Sequence, residues 1–252
     1  MGTAMTFDHC TTFEQLAKEG PIELHGLRKF AGDDLRFAKR MAEARMRCAT
    51  IEEAIREAGE SNESHNAQAL LHFATQASTC TGCGLSDTRT KTVFSRGDGL
   101  SGLLVVGEAP GADEDASGVP FIGKSGQSLD KMLLDVGIDP AKVYVCNVVK
   151  CRPPKNRVPA VAEIAACSGF LFRQIQLVKP RVIVTLGATA GRAVLGAEKW
   201  PGMVAIRGQW QRGLEADVMP TFHPAYLFRV PKAKVEALED MKAVAAKLGQ
   251  LR

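Results

Sequence analysis

Between residues 103 and 248, short apolar runs alternate with longer helix-forming stretches, and no other feature constrains the fold of this chain as much. Leu103-Leu-Val-Val106 is an uninterrupted apolar run ended by Gly107 and reads as a buried strand, and the mostly apolar residues 143–149, 181–186 and 218–222 read as three more strands. Between and after them, residues 125–136, 159–178 and 231–248 read as helices, the second and third opening on a proline that a first turn tolerates. Strands apolar on both faces and separated by helices of this length form βαβ units, hence a parallel sheet covered on both faces. In open sheets of this kind the ligand crevice lies beyond the carboxyl ends of the strands. The residues that follow each strand are therefore the ones to read for chemistry.

Residues 1–70 have a different texture and read as a helical N-terminal extension to a domain over 71–252. Thr11-Thr12-Phe13-Glu14 and Thr50-Ile51-Glu52-Glu53 both match a capping box, in which a hydroxyl and a carboxylate satisfy the first free amides of a helix. Leu35, Phe37, Ala38, Met41, Ala42, Ala44 and Met46 lie between them in a charged, helix-favouring context, and residues 60–66 form a polar break that reads as a linker. The net charge of +4 is unevenly spread: residues 1–70 carry 9 basic and 12 acidic side chains, the remainder 23 and 16, so that −3 faces +7. A positive field on the larger part suits a polyanionic partner. No apolar run approaches the roughly 20 residues that span a bilayer, and the opening MGTAMTFDHC lacks a basic stretch followed by an apolar core. The expected address is the cytoplasm, with no membrane involved.

After the first strand comes Gly107-Glu-Ala-Pro-Gly111, then Ala-Asp-Glu-Asp115 and Gly118-Val-Pro-Phe-Ile-Gly123, read as one long irregular loop with four acidic groups, Glu108, Asp113, Glu114 and Asp115. The lysine and hydroxyl of a phosphate-binding P-loop are not at the required spacing. Phe121 could stack on a planar ligand while backbone amides and a carboxylate handle its edge or a water; the alternative is a solvated acidic turn with Phe121 in the core. After the second strand, Asn147 offers an amide donor and acceptor suited to an imide edge, and Lys150, Arg152, Lys155 and Arg157 follow within a few residues. His223 follows the last strand directly and should point into the crevice. Leu227, Phe228 and Arg229, on the loop beyond it, could enter a duplex as a wedge with the arginine on phosphate.

The seven cysteines are an odd number without a visible export signal, which makes a disulfide framework a poor account of them. Cys80 and Cys83 form a C-x-x-C, with Cys151 in the basic loop and Cys167 on the next helix. The pair alone suits a redox couple, zinc or an iron–sulfur centre; four converging thiols suit zinc or one corner each of a cubane. Cys146, next to Asn147 on a strand, should face the opposite way, into the core. Cys10 and Cys48 fall outside the pattern.

Together, Cys80-Thr-Gly-Cys83, Gly107-Glu-Ala-Pro-Gly111, Pro120-Phe-Ile-Gly-Lys-Ser-Gly126, Asn147-Val-Val-Lys-Cys-Arg-Pro-Pro154, Cys167 and His223-Pro-Ala-Tyr226 resemble the family 4, iron–sulfur uracil-DNA glycosylases, in order and spacing from about residue 77 to 248. The resemblance implies an α/β fold, a three-layer αβα sandwich around a four-stranded parallel sheet. It implies a monofunctional enzyme that flips uracil out of DNA and hydrolyses its N-glycosidic bond, leaving an abasic site for base excision repair. By this likeness a 4Fe-4S cluster is held by Cys80, Cys83, Cys151 and Cys167, with a structural role. Uracil binding falls on Ala109, Phe121, Asn147 and His223, and catalysis on His223 with Glu108, Glu114 or Asp115, of which Glu114 matches the family position favoured for the water. DNA contacts fall on Lys124, Ser125, Arg152, Leu227 and Arg229. The expected partner is uracil-containing DNA, single- or double-stranded, met by a monomer. Phe228 stands where a second leucine is usual. The covalently trapping relatives carry a histidine in an insertion after the second strand; here that stretch runs Lys155-Asn-Arg-Val-Pro159, so turnover is expected. The competing readings are a non-catalytic iron–sulfur DNA-binding module of the same fold and a zinc-stabilised small-molecule binder.

Overall fold

A computed structural model describes residues 63–196 and 200–250. The two capping boxes, the apolar stripe at 35–46, Cys10 and Cys48 lie outside the described residues. In chain order the elements are α1 (Glu63–Thr79), β1 (Leu103–Gly107), α2 (Ala112–Ser117), α3 (Lys124–Asp135), β2 (Tyr144–Asn147), α4 (Val161–Val178), β3 (Val182–Leu186), α5 (Ala188–Leu195), α6 (Met203–Ile206), β4 (Gln211–Gly213), β5 (Ala216–Thr221), α7 (Pro224–Arg229) and α8 (Ala233–Gln250). The sheet order is β2-β1-β3-β5-β4. β2, β1, β3 and β5 pair in parallel, and β4 runs antiparallel to β5 at the edge.

The period-two alternation of a strand sorts its side chains into two cores. Leu104, Val106, Tyr144, Cys146, Ile183 and Val218 face one side, where α4 supplies Ile164, Leu171, Phe172 and Ile175 and α5 supplies Ala190, Ala193, Val194 and Leu195. Leu103, Val105, Val145, Val182, Val184 and Met219 face the other, against Leu129 and Leu133 of α3 and Met241, Val244 and Leu248 of α8. The three-layer sandwich is therefore as expected, and Cys146 is fully buried in the first core. α4 is 18 residues long and apolar enough to cross a bilayer by length and composition alone. Its inward face packs on the sheet, and it carries Cys167.

The structure departs from the sequence reading at several places, and two helices that the reading did not place, α5 and α6, lie between β3 and β4. The sheet has a fifth strand, β4, whose three polar residues carry no apolar signal; Leu214 and Glu215, both at positive φ, turn it back onto β5. The acidic stretch after β1 contains a helix, α2, rather than being irregular throughout. The residues after His223 form α7 rather than a loop, because His223 caps it and Pro224 occupies its first turn. The polar break at 60–66 is already helical from Glu63, and α1 runs through residue 70.

Candidate active site

The carboxyl ends of β1 and β2 meet in register, Gly107 beside Asn147. A Cβ at Gly107 would lie 2.4 Å from Asn147 Oδ1 and 2.4 Å from Phe121 Cζ. Only glycine lets these two side chains close over the strand end. Asn147 is buried, and its Oδ1 has no hydrogen-bond partner among the described residues. A buried amide oxygen without a donor costs about 1–3 kcal/mol, a cost typical of a site that awaits a ligand. Phe121 is held at φ +56°, unusual for an aromatic residue. Its backbone rests on Gly126, where a Cβ would come 1.7 Å from the Phe121 carbonyl oxygen. The Phe121 and His223 ring centroids are 5.9 Å apart, at 37° between planes. Nδ1 of His223 accepts the Ala225 N–H at 3.1 Å, which places the ring proton of the neutral form on Nε2. Burial, with a smaller contribution from Arg229, lowers the His223 pKa to about 4, so the ring is neutral at physiological pH.

The three expected carboxylates have distinct surroundings. Glu114 Oε1 accepts the amides of Ile122 and Gly123 at 3.0 and 2.9 Å, and Oε2 accepts that of Gly111 at 3.0 Å. It therefore ties both ends of the Phe121 loop together, and its oxygens are engaged by backbone. Asp115 is buried and accepts the Thr90 amide at 2.9 Å, anchoring the segment that follows the cysteine pair. Glu108 is half-buried and accepts the hydroxyl of Thr189 on Oε2. Ala109 packs partly against the core on the α4 side. Thr189 was not singled out in the sequence, although it lies just beyond β3, where the strand-end rule pointed.

All four expected metal ligands, Cys80, Cys83, Cys151 and Cys167, line one cavity together with Arg89, Lys150 and Phe170. Three N–H groups point at the sulfurs: Gly82 to Cys80 at 3.4 Å, Arg89 Nη1 to Cys151 at 3.2 Å, and the Lys150 amide to Cys167 at 3.2 Å. Burial raises the pKa of Cys83 and Cys151 and pushes Cys167 up to about 12. Arg89 also donates to the carbonyls of Cys80 and Ser78, pulling α1 and the basic loop together.

The sequence profile of the uracil DNA glycosylase superfamily matches residues 94–245. The chain belongs to the uracil DNA glycosylase superfamily. It is 42% identical to a type-4 uracil-DNA glycosylase of Thermotoga maritima over 178 residues, 68% of this chain and 91% of that one. A type-4 enzyme of Archaeoglobus fulgidus is 33% identical over 191 residues, 73% and 95% of the two chains. A type-5 uracil-DNA glycosylase of Pyrobaculum aerophilum is 33% identical over 172 residues, 62% and 76%.

On this glycosylase fold the expected DNA-contacting residues divide. Lys124 is exposed and Ser125 half-buried at the start of α3, and Arg229 is exposed at the end of α7. Arg152 donates to Asn156 Oδ1 at 2.8 Å. Leu227 is a correction: only 1% exposed, it packs with Met132, Phe222, Ala233 and Ala237 and is not presented as a wedge. Helical spacing turns it inward and leaves Phe228, 49% exposed, as the outward apolar side chain.

Proposed function

We propose that this superfamily member excises uracil from DNA as a monofunctional glycosylase, with the crevice between Asn147, Phe121 and His223 as its uracil pocket. The observation that carries the reading is the buried, unpartnered Asn147 Oδ1, set beside the Phe121 ring across Gly107. A base stacked in a duplex cannot reach such a pocket and must be extruded. Flipped uracil offers N3–H to Oδ1 and O4 to the Asn147 Nδ2 donor, whereas cytosine offers an acceptor and an amino donor at the same two positions. Phe121 stacks on the base. Bond cleavage builds negative charge on uracil O2, and the Nε2–H of neutral His223 stabilises it by donating there. Glu114 holds the Phe121 loop and Asp115 the Thr90 segment. Glu108, steadied by Thr189, is the carboxylate that orients water and faces the positive charge developing on the sugar. The +7 of residues 71–252 favours the approach of the DNA backbone.

The four cysteines suit a 4Fe-4S cluster. The four thiols ring one cavity, and four thiolates can supply one corner each of a cubane. When bound, the cluster supplies fixed charge and a cross-link between the 80–83 segment, the basic loop and α4. The enzyme is proposed to act as a cytoplasmic monomer.

The test uses uracil-containing oligonucleotides, single- and double-stranded, followed by alkaline cleavage of abasic sites. Strand breaks at uracil and none at cytosine or thymine support the reading; no break at uracil sinks it. For the cluster, brown protein that loses its colour in Cys167→Ser but keeps it in Cys146→Ala is expected. Colourless, zinc-loaded wild type would refute the iron–sulfur assignment.

A further inference from the structure

Lys150 heads the fully buried side chains by size. A buried ammonium is costly unless compensated by opposite charge and satisfied donors. Among the described residues no carboxylate pairs with it. Its Nζ donates to the main-chain carbonyl of Asn147 at 2.6 Å and to Gln174 Oε1 at 2.5 Å, and lies 5.8 Å from the centroid of the Phe94 ring. Gln174 is fixed in turn, donating to the Phe94 carbonyl at 3.0 Å and to the Tyr144 hydroxyl at 3.1 Å. The backbone amide of Lys150 donates to Cys167 Sγ, and Lys150 lines the four-cysteine cavity. One residue thus touches the uracil-reading strand end with its side chain and the thiol set with its main chain.

We propose that Lys150 is a positioning residue linking the two sites, its ammonium clamping the Asn147 carbonyl and taking its counter-charge from the four thiolates of the bound cluster. The proposal rests on the reading of the cysteines as a cluster site. Four thiolates outweigh the positive charge of an iron–sulfur core, so the bound group is a net anion, and a buried cation beside it needs no carboxylate. Loss of the cluster would leave the ammonium uncompensated next to Asn147. The clamp acts on the main chain of the reader and touches neither uracil nor the reacting atoms.

The experiment compares cluster-loaded, full-length wild type with Lys150→Met and Gln174→Glu. Lys150→Met removes the charge and the clamp at similar volume. Its kcat on uracil-containing DNA should fall about 10- to 100-fold, the usual effect of losing a partner that orients a metal-site environment. KM should stay within about twofold, because the DNA path is untouched. The midpoint potential of the cluster should move lower, because a removed positive charge no longer favours the reduced form. Gln174→Glu keeps the ammonium and sets a carboxylate on it, at the cost of the donor to the Phe94 carbonyl, so the potential should move the same way. Unchanged kcat or unchanged potential in Lys150→Met overturns the proposal, as does a drop in melting temperature alone. If Lys150→Met does not fold, Gln174→Glu decides, and an unchanged potential there overturns it. A wild type without visible absorbance or uracil release would instead be a failure of the functional reading.

Discussion

Truncating Asn147 to alanine should separate activity from stability, because the side chain is costly in the free protein and useful only with uracil bound. Two hydrogen bonds to the uracil edge are lost, at about 1.5 kcal/mol each for buried bonds. Together these amount to about 3 kcal/mol, or about 150-fold in kcat/KM. The free protein loses a buried oxygen that has no donor, relieving about 1–3 kcal/mol. The small void left behind costs about 1 kcal/mol. The main-chain carbonyl stays clamped by Lys150, so the strand end should not collapse. Asn147→Ala is therefore expected to unfold in urea at or slightly above the wild-type midpoint while its single-turnover excision rate falls by about two orders of magnitude. A near-normal rate would mean the edge reader lies elsewhere. A loss of more than about 2 kcal/mol of stability would mean that Asn147 is a packing residue whose Oδ1 is satisfied.

Three further outcomes follow from the same geometry. His223 has a folded pKa of about 4 against 6.5 when unfolded, so the unfolded chain takes up the proton first. Stability should fall as pH drops from about 6.5 towards 4, and His223→Gln should flatten that part of the urea-midpoint profile; an unchanged slope contradicts the burial argument. Glu114→Gln replaces one acceptor oxygen with a donor facing a backbone amide, which should cost about 1–3 kcal/mol and slow excision by loosening Phe121. Unaltered melting and rate would show that Glu114 does not hold the loop. Leu227→Ala should cost about 2–5 kcal/mol of stability as a core truncation, whereas Phe228→Ala should leave stability nearly intact and weaken binding to duplex DNA. The reverse pattern would restore Leu227 as the wedge.

The four parallel strands were legible because each is largely buried on both faces, which leaves mostly apolar segments in the sequence. β4 was not, since Gln211, Arg212 and Gly213 are joined to β5 through backbone pairing and a turn at Leu214 and Glu215. Of the site, Asn147 and His223 could be found because they lie at strand ends and Phe121 because it closes the glycine-rich segment after β1, and Cys80, Cys83, Cys151 and Cys167 because their spacing matches a known pattern. The role of Glu114 was hidden: a sequence displays a carboxylate but not the three amides that converge on it. Leu227 was misread for a local reason, since its direction depends on whether His223 starts a helix or a loop. Thr189, Arg89 and Lys150 act across sequence separations or burial that no local pattern encodes.

The most direct test of the account is to measure free uracil released from a uracil-containing duplex present in large excess over the enzyme. Neutral His223 at the base, hydrolysis by water, and no histidine in the 155–159 stretch together predict many uracils freed per enzyme molecule. They also predict no protein–DNA species that survives denaturing electrophoresis. A burst limited to one equivalent, with the protein retained on the DNA, would contradict it.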